Sequence, residues 1–204
     1  MNTETQESPK SAAPELWLIR HGETEWSASG KHTSRSEVPL TVRGRQSAQA
    51  IGQYLAPQQF SMVLTSPRQR VQETCRIAGY SACALVDENL AEWDYGDYEG
   101  RTTEEIRSKE ARWTIWSAPS SGGESIERVA SRAQRIIERA GKAGGKVALF
   151  SHAHFLRILA TVWIGLAPQS GRLLFLGTGS VSILGFERET RVLQEWKHSF
   201  ERDF

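Results

Sequence analysis

The stretch LWLIRHGETEW (16–26) carries four apolar side chains directly into Arg20, His21 and Gly22. A short apolar run reads as a buried β-strand, and a strand that stops on a cation, an imidazole and a glycine needs a reason. It is either a solvated strand end with a turn glycine, or an anion site with a histidine nucleophile. The second would lie where open α/β sheets bind ligands, beyond the carboxyl ends of their strands. The rest of the chain decides between them.

Working outward, 22–40 is polar and glycine-containing, a loop. Thr41 is a fitting N-cap for a helix through 55, with Ala48, Ile51 and Leu55 at helical spacing. SMVLTS (61–66) reads as a second strand, and Pro67 opens a helix at its tolerated first position. ACALV (82–86) is a third strand, followed by an acidic and aromatic irregular segment over 87–100. A pair of short helices is expected over 102–116 and a loop at SAPSSGGES (117–125). A long helix follows over 125–140, with Ile126, Val129, Ala133, Ile136 and Ile137 as its apolar stripe. KVALFSH (146–152) is a fourth strand that again ends on a histidine, and 155–164 is an apolar helix. RLLFLG (172–177), SVSILGF (180–186) and RVLQEW (191–196) read as three closing strands. GTGS (177–180) lacks the third glycine and the helix of a dinucleotide loop, and reads as a turn between antiparallel strands. This order predicts a three-layer α/β/α sandwich around a mostly parallel mixed sheet with an antiparallel edge.

The chain has 204 residues, enough for one sizeable core. We read 1–14 as a disordered polar leader and 15–204 as a single domain. Lys and Arg total 25 against 24 Asp and Glu, a formal net charge of +1. No single-sign field draws nucleic acid or a membrane surface, so any bound anion must be held by a local cluster. Two cysteines, Cys75 and Cys83, form neither a disulfide framework nor a metal-ligand pattern. No apolar run approaches membrane-span length. A cytoplasmic protein is expected.

Strand-then-histidine occurs twice, at His21 and His152. In a parallel sheet both ends share one rim, where TSPRQR after the second strand and LAEWDYGDYEG (90–100) after the third would also arrive. LIRHGETEW resembles the Arg-His-Gly signature of the histidine phosphatase superfamily, which includes the cofactor-dependent phosphoglycerate mutases. TSPRQRVQET (65–74) resembles the second motif of that family and places its arginine on Arg70, not Arg68. LAEWDYGDYEG is similar to the acid-bearing segment and places the general acid on Glu92, and FSHAHFLR (150–157) places the second catalytic histidine on His152. The resemblance spans 16–157 in the family's order and implies a catalytic set of Arg20, His21, Arg70, Glu92 and His152. In it His21 is the nucleophile, Arg20 and Arg70 clamp phosphoryl oxygens, and His152 as a cation adds a further donor. Asp94, Asp97 and Glu99 read as loop carboxylates and Arg68 as a surface charge. The HAH pair, His152 and His154, is offset by two without a further ligand cluster, so no metal is expected, and no cofactor.

The segment 100–125 is shorter than the mutases' insertion. Thr103 stands at the mutase lysine position, and Ser117 and Ala118 follow Trp116 where arginines would stand. A short cap shields phosphohistidine poorly from water, which favours net hydrolysis. Within the phosphatases the motifs most resemble the sedoheptulose-1,7-bisphosphatase group, implying a sugar phosphate or bisphosphate. A phosphoglycerate mutase and a phosphohistidine-protein phosphatase remain alternative readings. A reduced, non-catalytic relative is disfavoured because the whole catalytic set is present. Gly22, Thr24, Thr33, Ser34, Tyr95, Ala153 and His154 are the candidate substrate contacts. Gly22 would let the backbone approach the ligand, and Ala153 and Ser34 depart from the family's usual glycines. The expected partner is a small-molecule phosphomonoester, with no nucleic acid and no membrane. The oligomeric state is open, a homodimer being one expectation.

Overall fold

In the computed structural model, which describes residues 13–118 and 121–200, the opening stretch forms strand β1 (Glu15–Arg20) at the centre of a six-stranded sheet. The chain continues through α1 (Glu25–Ala28), α2 (Val42–Leu55), β2 (Met62–Thr65), α3 (Gln69–Ile77), β3 (Ala84–Val86) and α4 (Thr103–Arg107). It ends with α5 (Ile126–Ala143), β4 (Lys146–Ser151), α6 (Ala153–Trp163), β5 (Ser180–Glu187) and β6 (Thr190–Ser199). The strand order is β3-β2-β4-β1-β5-β6. β1 to β4 run parallel, while β5 pairs antiparallel with β1, and β6 with β5. This is the expected mixed sheet with an antiparallel edge.

The period-2 geometry of β1 builds the layers. Leu16 and Leu18 join one buried cluster with the apolar stripe of α5 and with Phe155, Leu156, Leu159 and Trp163 of α6. Trp17 and Ile19 point the other way, into a cluster with Ile51 and Leu55 of α2 and Val71 and Cys75 of α3. Each large apolar side chain so buried contributes roughly 1.5–3 kcal/mol, and the sum fixes α6 against the sheet. Thr41 caps α2 by accepting the Gly44 amide at 3.0 Å, and Ser125 caps α5.

Several local expectations are corrected. Pro67 lies outside its helix, which starts at Gln69 with Arg68 as N-cap. Only one short helix, α4, forms in 102–116; Trp113 follows outside regular structure and Trp116 on a turn. RLLFLG is not a strand. Pro168–Leu173 is a 3₁₀ turn, and Leu173 and Phe175 are exposed. The edge of β1 is already taken by β5, and carbonyls of this segment accept from Arg157 and Arg20 instead. GTGS is therefore a turn leading into β5, not one between strands. Its Gly179 (φ +62°) donates its amide to the His21 carbonyl at 2.9 Å. The leader reading falls almost wholly on residues 1–12, outside the described residues. No described helix is long and apolar enough to cross a membrane.

Candidate active site

β1 and β4 are hydrogen-bonded neighbours in register, Arg20 opposite Ser151, so the next residues, His21 and His152, emerge side by side. The His21 amide extends the ladder to the Ser151 carbonyl at 3.1 Å. The two rings lie 5.2 Å apart with planes at 67°.

The bonding of each ring assigns its tautomer. His21 Nδ1 lies 2.7 Å from the Gly22 carbonyl, which only accepts, so Nδ1 carries the proton and Nε2 keeps its lone pair. Burial, then the nearby Arg70 and Arg20 charges, hold the imidazole well below its usual range and therefore neutral at pH 7. His152 is the N-cap of α6. Its Nδ1 accepts from Arg70 Nη2 at 3.1 Å, so Nε2 carries the proton and donates to Ser66 Oγ at 2.8 Å. Burial, then Arg70, keep this ring neutral too. In this arrangement His152 is a neutral ring that accepts from an arginine, whereas the cationic donor role expected of it concerns a bound phosphoryl group.

Arg70, in the first turn of α3, is fully buried. It donates to the carbonyls of Ser36 (3.0 Å), Thr33 (3.1 Å) and Ser34 (3.1 Å), which pins the 33–36 loop over the site. Arg20 donates to the Leu176 carbonyl at 2.5 Å, and burial lowers its pKa to about 10. The Nε atoms of both arginines are buried without a partner among the described residues. Two desolvated cations with spare donors favour an arriving dianion.

Glu92, almost fully buried, sits at the N-terminus of α6. Its Oε1 accepts the amides of Trp93 (2.9 Å) and Phe155 (2.8 Å), and Oε2 that of His154 (3.1 Å). Oε2 is therefore the oxygen with capacity left for a ligand. Of the expected catalytic set, His152 is bonded to Arg70 and packs edge-on to His21, while Arg20 and Glu92 share the cavity with His21.

A cavity of about 350 Å³ opens onto Arg20, His21 and Glu92, and Thr24, Thr33, Tyr95, Ala153 and His154 line it. Thr24 spends its hydroxyl on capping α1 at the Ser27 amide. Ala153 is the first residue of α6, outside the positive-φ region, so a side chain there brings no backbone strain. The Tyr95 hydroxyl, whose proton is retained by burial, is hydrogen-bonded to His154 Nδ1 at 2.6 Å, and both side chains line the cavity. Two expected contacts fall outside this cavity. Gly22 is small for packing: a Cβ there would lie 2.2 Å from the Gly44 carbonyl of α2. Ser34 lines a different recess, and its amide is held by Glu99 at 2.9 Å.

Asp94 and Glu99 are structural, Asp94 binding the Gly96 amide and Arg35, and Glu99 the amides of Ser34 and Ser36. Arg68 is no simple surface charge, being only a quarter exposed. The aromatic wall was missed. His32 packs 4.8 Å from Tyr95 and 5.4 Å from Trp113, while Trp116 packs 5.3 Å from His154 under the Arg157 guanidinium. Its only sequence signal was the pair of tryptophans in the short cap segment.

The family model of the histidine phosphatase superfamily (branch 1) matches residues 16–199. An acid phosphatase of Mycobacterium tuberculosis is 40% identical over 182 residues, covering 87% of this chain and 89% of the relative. The sedoheptulose 1,7-bisphosphatase of Saccharomyces cerevisiae is 33% identical over 192 residues, covering 78% and 70%. A solved structure of an open reading frame product from Mycobacterium tuberculosis superposes with a TM-score of 0.86 at 39% identity, covering 91% of this chain and 97% of that one.

Proposed function

Because this chain belongs to the histidine phosphatase superfamily and is a phosphatase, we propose that it hydrolyses a sugar phosphate or bisphosphate without a metal, through a phosphohistidine on His21. The observation that carries this reading is the state of His21: a neutral ring, its Nδ1 proton tied to Gly22, its Nε2 lone pair without a partner among the described residues, between two arginines whose Nε atoms likewise find none there. Nε2 attacks phosphorus, and the P–O bond to the alcohol breaks as protonated Glu92 delivers its proton to the departing oxygen. A water then attacks the phosphohistidine, Glu92 takes the water's proton, and phosphate leaves with His21 restored. Arg20 and Arg70 supply the positive charge a metal would bring, spread over the transferring oxygens. General acid catalysis of this kind contributes about 10²–10⁴-fold. The small-molecule phosphomonoester partner and a reducing cytoplasmic setting, in keeping with two free thiols at Cys75 and Cys83, belong to the same proposal.

Quenching turnover of a ³²P-labelled sugar phosphate in EDTA tests it. The expected result is an acid-labile, base-stable label on the wild type and none on His21→Ala. Label retained on the variant would move the nucleophile elsewhere. Activity lost in EDTA and restored by one divalent cation would overturn the metal-free mechanism.

A further inference from the structure

Arg20 lines the cavity from the end of β1, and among the described residues its guanidinium has one hydrogen-bond partner, the Leu176 carbonyl at 2.5 Å. The direction of the guanidinium therefore depends on how that carbonyl is held. Leu176 belongs to a strap, 174–177, which has no regular structure and runs from the 3₁₀ turn Pro168–Leu173 toward β5. The same strap leads to the nucleophile. Ser180 Oγ donates to the Gly177 carbonyl at 2.7 Å, and the Gly179 amide donates to the His21 carbonyl at 2.9 Å.

An irregularity in the edge strand fastens the strap from outside. In the β5–β6 ladder Val181 pairs with His198 and Ile183 with Glu195, so Trp196 and Lys197 together oppose Ser182. This is a β-bulge, and Lys197 occupies its left-handed position with φ +59°, which a lysine seldom adopts. The Lys197 amide donates to Ser182 Oγ at 2.9 Å and holds the bulge in place. Bulges re-aim side chains beside active sites. Here Trp196 Nε1 donates to the Phe175 carbonyl at 2.8 Å, and Lys197 Nζ lies 4.7 Å from the centroid of the Phe175 ring. Phe175 itself is 66% exposed, so burial does not fix it. The buried Leu176 side chain ties the strap to the core but leaves the turn of its peptide groups to hydrogen bonds. Leu174 is extended (φ −100°, ψ 100°), and along an extended chain successive carbonyls face opposite sides. The Phe175 carbonyl goes to the edge strand and the next one, of Leu176, to Arg20.

We propose that Trp196 is a positioning residue of the phosphoryl site: from the β6 bulge it fixes the strap, and the strap's Leu176 carbonyl aims the Arg20 guanidinium at the phosphoryl oxygens. Trp196 does not line the cavity and acts only through Arg20. The proposal rests on the phosphatase reading above and adds to it a residue beyond every catalytic motif, the last of which ends at Arg157.

Trp196→Phe keeps a ring against the strap and removes the N–H donor. Inorganic phosphate, titrated by calorimetry, should bind this variant at least about 3-fold more weakly than the wild type, and kcat/KM for p-nitrophenyl phosphate should fall by at least as much. In an Arg20→Ala background the same substitution should leave phosphate affinity unchanged, because no guanidinium remains to be aimed. A general loss of stability would not produce that non-additivity, and titrating below the melting transition of every variant keeps folding out of the comparison. Unchanged phosphate affinity in the chain that retains Arg20, or an equal loss in both backgrounds, would overturn the proposal. A chain that released phosphate from no monoester would overturn the phosphatase reading, and the calorimetric cycle would still decide the role of Trp196.

Discussion

Replacing Glu92 by Gln separates its role as proton donor from its role as a brace. Oε1 holds two backbone amides and Oε2 a third. The amide oxygen of Gln can keep the Oε1 pair, but its NH₂ group then faces the His154 N–H, donor against donor. One lost hydrogen bond with a buried donor left unpaired costs about 1–3 kcal/mol, so the variant should melt measurably lower yet still fold. Any change in the surroundings of Arg20 and Arg70, which lie within the field of Glu92, acts on every substrate alike. Loss of the transferable proton does not. p-Nitrophenolate departs as a stable anion, whereas a sugar alkoxide must be protonated and forfeits about 10²–10⁴-fold. The measurement is kcat/KM of wild type and Glu92→Gln on p-nitrophenyl phosphate and on the best sugar phosphate. The drop should be at least ~10-fold larger for the sugar phosphate, a difference of about 1.4 kcal/mol in transition-state stabilisation. Equal drops would refute the reasoning and leave Glu92 as a brace for the first turn of α6.

Gly22→Ala should cost about 1–3 kcal/mol or more by overpacking, since its Cβ would meet Gly44 backbone atoms at 2.2–2.9 Å, and relief displaces His21; thermal melts and phosphate release should fall together, and a variant as stable and active as wild type would contradict the packing. His21, His152 and His154 are kept neutral by burial with folded values well below 6.5, so below pH 6.5 the unfolded chain takes up protons that the folded chain refuses. Stability is therefore full above pH 6.5 and declines as pH falls, by on the order of 1 kcal/mol per histidine per pH unit; urea midpoints at pH 7 and 5.5 check this, and a flat profile would count against it.

How far the sequence carried these conclusions depends on how local each one was. The alternation of Leu16 and Leu18 against Trp17 and Ile19 specifies two buried faces, and hence helices on both sides of β1. The Thr41 cap and the apolar stripe of α5 are likewise decided within a few residues. The composition of RLLFLG suits a strand, whereas the outcome depends on β5 already occupying the β1 edge and on Arg157 and Arg20 taking the carbonyls of Arg172 and Leu176. Gly22 was singled out for approach to a ligand, but its partner is Gly44, a contact that no local pattern announces.

The same distinction runs through the site. His21 and His152 follow directly after neighbouring parallel strands, so sheet register alone brings them together. Their protonation is a different matter. Arg70 and Ser66 assign the proton of His152 through bonds of 3.1 and 2.8 Å, and both come from around the end of β2. A histidine read from the motif as a cation is thereby a neutral acceptor until something draws Arg70 away. A phosphoryl dianion that engages the Arg70 guanidinium competes for that donor and releases His152 Nδ1 to take a proton. The cationic donor expected from the motif is then a state that the ligand's own charge creates, and binding should be accompanied by proton uptake, measurable as a buffer-dependent enthalpy at pH 7. A binding enthalpy independent of buffer ionisation would show that His152 stays neutral throughout, and that Arg20 and Arg70 alone carry the transferring charge.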